Sequence, residues 1–282
     1  MPRVQGRGYC IDIGSNEKKG EPMKPAFALF PVLTVALLLA IPPAHASSKM
    51  DNRIEASAKK SYVFETYLKG DDIKIQSRDG VVTLTGSVLE ESHKSLAQET
   101  VAELPGVKKV DNQLEVRGGS PAVNSDIWLA TKVKTTLLFH RNVNAVKTEV
   151  SVKDAIVTLR GDAASQAQKE LTTEYAKDVT GVKDVKNEMT VSGASTSAAS
   201  TKKHKTVGEK IDDASITAQV KMTLLYHRST SAVSTKVKTK NGVVTLSGKA
   251  GNAAEKALVT KLAGDVHGVK NVTNRMTVTG SK

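Results

Sequence analysis

The 282-residue chain alternates apolar and polar positions at three places. Val82 and Leu84, Val157 and Leu159, and Val244 and Leu246 each sit two apart, with Thr83, Thr158 and Thr245 between them. A period of two puts each aliphatic pair on one face of a strand and the threonine on the other, so the aliphatic face is the predicted core. A second alternating run precedes each of these and ends at Asp79-Gly80, Asp154-Ala155 or Asn241-Gly242. Asp-Gly and Asn-Gly are strong signals for two-residue hairpins, whose central residues need positive φ; Asp-Ala is a weaker one. The period then changes. Upstream, Leu129, Val133 and Leu137 recur every four residues, which predicts an amphipathic helix. Downstream, residues 252–266 predict a second helix, and a glycine closes that region in each copy at Gly106, Gly181 and Gly268. A last alternating stretch, such as 269–278, completes the unit. The order α-β-β-α-β predicts an α+β fold of three tandem small domains, each with two helices on one face of a three-stranded sheet.

The repetition is explicit in the letters. Residues 125–193 align without a gap onto 212–280 at an offset of 87, including VKTTLLFHR with VKMTLLYHR and TGVKDVKNEMTVSG with HGVKNVTNRMTVTG. A more diverged copy spans 53–118; its Gly86, Gly106 and Gly118 precede Gly161, Gly181 and Gly193 by 75, and it needs one short deletion before its first strand. Self-similarity at this period indicates tandem units. Residues 119–124 join the first two copies, and a Ser/Thr/Ala-rich basic stretch, 194–211, reads as a flexible tether to the third.

The N-terminal region belongs to none of these units. From Met23 the chain reads MKPAFALFPVLTVALLLAIPPAHA: a lysine, an apolar run from Val32 to Ile41, then Ala44-His45-Ala46. That is the pattern of a secretory signal peptide, residues 23–46, cleaved after Ala46. The apolar run is too short for a spanning helix, which needs about 20 residues. Residues 1–22 do not fit a signal peptide and read as an untranslated extension upstream of the Met23 start. Cys10, the single cysteine, lies there, so the mature chain has no disulfide and no thiolate metal site.

G-x-V-x-L-x-G, a helix, and then G-V-x-x-V-x-N-x-(apolar)-x-V occur in all three copies. The second element is Gly106, Val107, Val110, Asn112, Leu114 and Val116; then Gly181, Val182, Val185, Asn187, Met189 and Val191; then Gly268, Val269, Val272, Asn274, Met276 and Val278. This combination resembles the BON (bacterial OsmY and nodulation) domain family. An exported chain of such units is similar to the OsmY-like periplasmic osmotic-stress proteins, which usually carry two. The resemblance implies a non-enzymatic periplasmic envelope protein that associates with phospholipid surfaces, or alternatively a chaperone-like module or protein-interaction scaffold holding client or envelope proteins. It brings no catalytic residues and no cofactor.

Charge narrows the search for a site. The formal charge is +12 and the pI about 9.6, which suits anionic lipid, nucleic acid or acidic polymers; export disfavours nucleic acid. The three copies carry −1, +1 and +6, so the positive field belongs to the third. There Lys236, Lys238 and Lys240 alternate with Val237 and Thr239, a complete lysine ladder where the second copy has Glu149, Ser151 and Lys153 and the first has Lys74, Gln76 and Arg78. One reading is a solvated strand face that deters edge aggregation. The other is a patch for anionic head groups, with Lys202, Lys203 and Lys205 of the linker contributing.

A second candidate surface lies on the first helix, opposite its aliphatic face: Trp128, Lys132, Thr135 and Phe139 in copy two, and Ser215, Gln219, Met222 and Tyr226 in copy three. An aromatic-and-lysine stripe suits a membrane interface, with Trp128 as the better probe, or packing against another copy, favoured for Phe139 and Tyr226. His140-Arg141 and His227-Arg228 end these helices, where cations complement the helix terminus. Neither histidine has a partner at metal-ligand spacing, and no metalloprotease, nucleophile-elbow or phosphate-loop motif is present.

Overall fold

The computed structural model describes residues 44–122, 125–192, 211–230 and 234–279. The expected extension (1–22), the body of the expected signal peptide, and residues 193–210, which take in all of the expected linker but Ile211, lie outside the described residues. The predicted cleavage point after Ala46 falls in the first turn of α1 (Ala44–Lys59).

Three α+β units follow one another. The first contains α1, a short α2 (Tyr62–Thr66), β1 (Asp72–Arg78), β2 (Val81–Val88), α3 (Glu91–Ala102) and β3 (Lys109–Val116). The second contains α4 (Asp126–Phe139), β4 (Thr148–Lys153), β5 (Ile156–Ala163), α5 (Gln166–Lys177), β6 (Asp184–Asn187) and β7 (Thr190–Val191). The third contains α6 (Asp213–Tyr226), β8 (Thr235–Lys240), β9 (Val243–Ala250), α7 (Ala253–Gly264), β10 (Asn271–Asn274) and β11 (Thr277–Val278). In each, the hairpin pairs antiparallel and the final strand returns parallel to the second. The aliphatic pairs of β2, β5 and β9 are fully buried, each at 0% exposure.

One acid per unit ties the first helix to its hairpin. The Asp126 carboxylate accepts from the amides of Asp154 and Ala155 at 2.8 and 2.9 Å, and Asp213 from those of Asn241 and Gly242 at 2.7 and 2.8 Å. In the first unit Asp51 does the same for Asp79 and Gly80. Asp51 stands 75 residues before Asp126, so the first copy extends back past Arg53 and aligns with the second without the expected deletion. The clamp also explains the Asp-Ala turn: Asp154 and Ala155 take φ of 54° and 65°, as Asn241 and Gly242 take 53° and 79°. The carboxylate and the hydrogen bond from the Lys183 amide to the Ala155 carbonyl hold an alanine in a conformation that costs about 1–2 kcal/mol.

The closing glycine of G-x-V-x-L-x-G does not mark the end of the strand. It lies inside it, at φ of 112° to 125°. A Cβ on Gly161 would stand 1.9 Å from the Lys147 carbonyl oxygen, and one on Gly248 1.9 Å from that of Ser234. The glycine is there because the entering backbone of the hairpin crosses it. The motif asparagine also acquires a reason. Asn187 donates to the Lys169 carbonyl and Thr173 hydroxyl and accepts from the Met189 amide, riveting the last strand to α5; Asn274 repeats this with Lys256, Thr260 and Met276.

The units do not form three separate cores. The second and third share one, joining Leu129, Val133 and Leu137 of α4 to Ile216, Val220 and Leu224 of α6. The first unit's core takes in Phe139, Ala214, Ala218, Met222 and Tyr226. Helix α6 is therefore buried on both sides, which adds the shared area that units of this size need.

Candidate functional site

The lysine ladder is where its alternation predicts. Val237 is buried at 4% exposure, while Lys236, Lys238 and Lys240 are exposed on the sheet face away from the helices. They stand beside Ser247, Thr245 and Val243 of β9. Among the described residues, no carboxylate forms an ion pair with any of the three. The acids of the third unit are engaged elsewhere. Asp212 caps α6 and accepts from the Tyr62 amide; Asp213 clamps the hairpin; Glu255 accepts from the Gly251 amide; Asp265 faces the second unit. The corresponding face of the second unit is mixed, with Glu149 on β4 and an Arg160–Glu188 pair at 2.8 Å. Lys202, Lys203 and Lys205 lie outside the described residues.

The aromatic-and-lysine stripe is not a surface. Phe139 and Tyr226 are 1% and 4% exposed, both within the core of the first unit. Phe139 meets Tyr67 edge-on at 5.5 Å, and Trp128 meets Tyr226 edge-on at 6.3 Å. Lys132 is buried and donates to the Thr180 carbonyl at 2.7 Å; burial holds its pKa below the usual lysine value. The membrane expectation is corrected for Phe139 and Tyr226, which apolar packing between units consumes as their alternative anticipated, and for Lys132, which is buried within its own unit; Trp128 is half-buried against Tyr226.

The His-Arg pairs serve helix ends, but those of the neighbouring unit. The Arg141 guanidinium donates to the carbonyls of Gly264, Val266 and Val269 after α7, at 2.5, 2.7 and 2.8 Å. Arg228 reciprocally takes those of Lys177, Val179 and Val182 after α5. Backbone bonds follow the same rule: Arg141 amide to Asp265 and His267 amide to Phe139, mirrored by Arg228 to Asp178 and Thr180 to Tyr226. Each of these backbone and arginine contacts has a counterpart 87 residues away, so the second and third units face each other about an approximate two-fold axis, as in an isologous dimer. The sequence carries the signal, HR after the helix in copies two and three alone, but not its destination.

The first unit is held by different means. Lys221 of α6 bridges Glu99 and Glu103 of α3 at 3.0 and 2.6 Å. Burial works to lower its pKa, and the two carboxylates outweigh this and raise it. No group of three or more His, Cys, Asp or Glu side chains is placed to hold a metal among the described residues, and no described helix is long and apolar enough to cross a membrane.

The family match agrees with this architecture. The BON domain matches three times, at residues 50–118, 125–193 and 212–280. The chain is 30% identical over 190 residues to the osmotically-inducible protein Y of Escherichia coli, covering 67% of this chain and 87% of that protein. It is 28% identical over 155 residues to the outer membrane lipoprotein DolP of Haemophilus influenzae, covering 54% and 80%. A solved structure of CdsD, a structural protein of the type III secretion system of Chlamydia trachomatis, aligns over 82% of this chain and 92% of that one at 15% identity, with a TM-score of 0.23. With three matches spanning most of its length and the αββαβ unit repeated three times, the chain belongs to the BON domain family.

Proposed function

We propose that this BON protein is a non-enzymatic, periplasmic envelope and osmotic-stress protein that binds anionic phospholipid surfaces through the open sheet face of its third unit. The observation that carries this is the exposed ladder of Lys236, Lys238 and Lys240, with the acids of the same unit drawn off to caps, turns and the interface. A lysine near a charged membrane contributes about 1 kcal/mol, so three on one flat face give a salt-sensitive attraction. The likeness to an outer membrane lipoprotein and to an osmotically inducible protein of bacteria supports an envelope setting. The client-holding alternative relied on apolar helix faces, and those of α4 and α6 are covered by neighbouring units.

Co-sedimentation with vesicles across a salt series tests the reading. Binding to phosphatidylglycerol vesicles that fades with salt, and none to phosphatidylcholine, is expected. Replacing the three lysines with glutamine should weaken binding by roughly a hundredfold. Equal recovery with both lipids, or an unchanged variant, refutes it; suppression of client aggregation without vesicle binding favours the scaffold.

A further inference from the structure

Two histidines meet in the seam between the second and third units. His140 and His227 are 0% and 2% exposed, with ring centroids 5.8 Å apart. The approximate two-fold axis should give both the same partner. His227 Nδ1 lies 2.7 Å from Asp178 Oδ2, and the counterpart of Asp178 is Asp265. His140 does not reach it, because Tyr175 stands where the third unit has Leu262. The Tyr175 ring stacks on His140 at 3.8 Å, nearly parallel, and its hydroxyl donates to Asp265 Oδ2. Among the described residues, neither ring nitrogen of His140 has a hydrogen-bond partner.

The charged and titratable groups around this ring come from every element packed on it. His227 follows α6, with Asp178 behind it. Tyr175 lies on α5 and holds the Asp265 carboxylate that follows α7. Arg141 is next in the chain, its guanidinium committed to three carbonyls. His267 lies across the strand-like pairing with Phe139. A neutral imidazole is tolerated in such a site. An imidazolium has two donors, no acceptor, and like-signed neighbours.

We propose that the seam between the second and third units is a proton-operated clasp, which neutral His140 keeps closed and charged His140 drives toward opening. Burial, then the charges of His227 and His267, push the His140 pKa down to about 3. A parted seam returns the ring to water and to an ordinary value near 6.5. The folded value is the lower one, so the stabilisation is complete above about 6.5 and is lost progressively as the pH falls toward 3. Burial and the Arg141 charge lower the pKa of His267 as well, which adds in the same direction. Asp178 opposes nothing in this window: burial works to raise it, but hydrogen bonds from His227 and Ser229 and the charges of His227 and Arg228 hold it below its ordinary 3.8. Between pH 7.5 and 5 the opening equilibrium should shift about thirtyfold toward the parted form.

Amide hydrogen exchange on the full chain, corrected for the intrinsic pH dependence, reads this directly. The amides of Arg141, Thr180, Arg228 and His267 bond across the seam; those at the centres of β5 and β9 are internal controls. Seam protection should fall about thirtyfold from pH 7.5 to 5 while the controls hold. Tyr175→Leu frees Asp265 to receive the His140 proton and should flatten the dependence; His140→Phe keeps an aromatic stack, removes the charge and should abolish it. Seam protection that ignores pH, seam and control amides failing together, or a foldable His140→Phe that keeps the wild-type dependence overturns the proposal. If His140→Phe does not fold, wild-type behaviour in Tyr175→Leu overturns it equally.

Discussion

The second and third units are two copies of one plan, identical at roughly half of their aligned positions, that present different surfaces. Their shared letters build the same hairpin, the same asparagine rivet and the same crossing arginines, so the pair closes like a dimer within one chain. The two units differ at roughly half of the aligned positions, and a few of those differences have large consequences. Three lysines on β8, against Glu149, Ser151 and Lys153 on β4, make one sheet face cationic and leave the other mixed. One tyrosine in place of a leucine strips His140 of its carboxylate. Duplication thus supplied a closed interface, and substitutions on either side of it supplied the chemistry.

Paired substitutions test that comparison, since like positions should respond alike and unlike ones should not. The largest effect is expected for Gly161→Ala and Gly248→Ala. Each added Cβ meets a backbone oxygen at 1.9 Å, and each should cost about 3 kcal/mol or more in chemical denaturation. A mild loss in either would mean that its hairpin is not crossed so closely. Next come Arg141→Ala and Arg228→Ala, each removing three charge-assisted bonds across the seam, with losses of about 2–3 kcal/mol expected. Lysine should not restore stability at either site, because it lacks the planar fork. Acidification from pH 7.5 to 5 should lower seam stability by about 2 kcal/mol through His140, whose pKa of about 3 lies below its free value. A pH series of unfolding midpoints for wild type and His140→Phe separates that contribution. The smallest change is at the turn. Ala155→Gly should stabilise the chain by about 1 kcal/mol and Gly242→Ala destabilise it by a similar amount, since both turns need positive φ.

Much of the fold was legible because its signals are local. A period of two, a change to a period of four and three turn dipeptides are enough to order the elements, and the offsets of 75 and 87 count the units. The clamp at Asp51, Asp126 and Asp213 was in the letters too, each at the same distance before its turn dipeptide. It passed unnoticed because its partners are backbone amides about 28 residues away, which leave no mark on the sequence. The lysine ladder could be read from alternation alone, since an edge strand has one exposed face whatever lies beyond it. The stripe of Trp128, Lys132, Phe139 and Tyr226 could not. A helix buried on two sides and a helix with one wet, amphipathic face can share the same pattern, and only the neighbours distinguish them.

By itself, then, the sequence determined the unit, its number and the place of the charge, because strand alternation, turn chemistry and net charge act within a few residues of their cause. The tertiary structure decided which surfaces survive. It buried Phe139 and Tyr226 between units, sent Arg141 and Arg228 to the helix ends of the facing unit, and set His140 against Tyr175 with no acceptor for its proton among the described residues. Those outcomes depend on contacts between residues 46 to 128 positions apart, and burial and hydrogen bonding at such contacts follow from how the units pack.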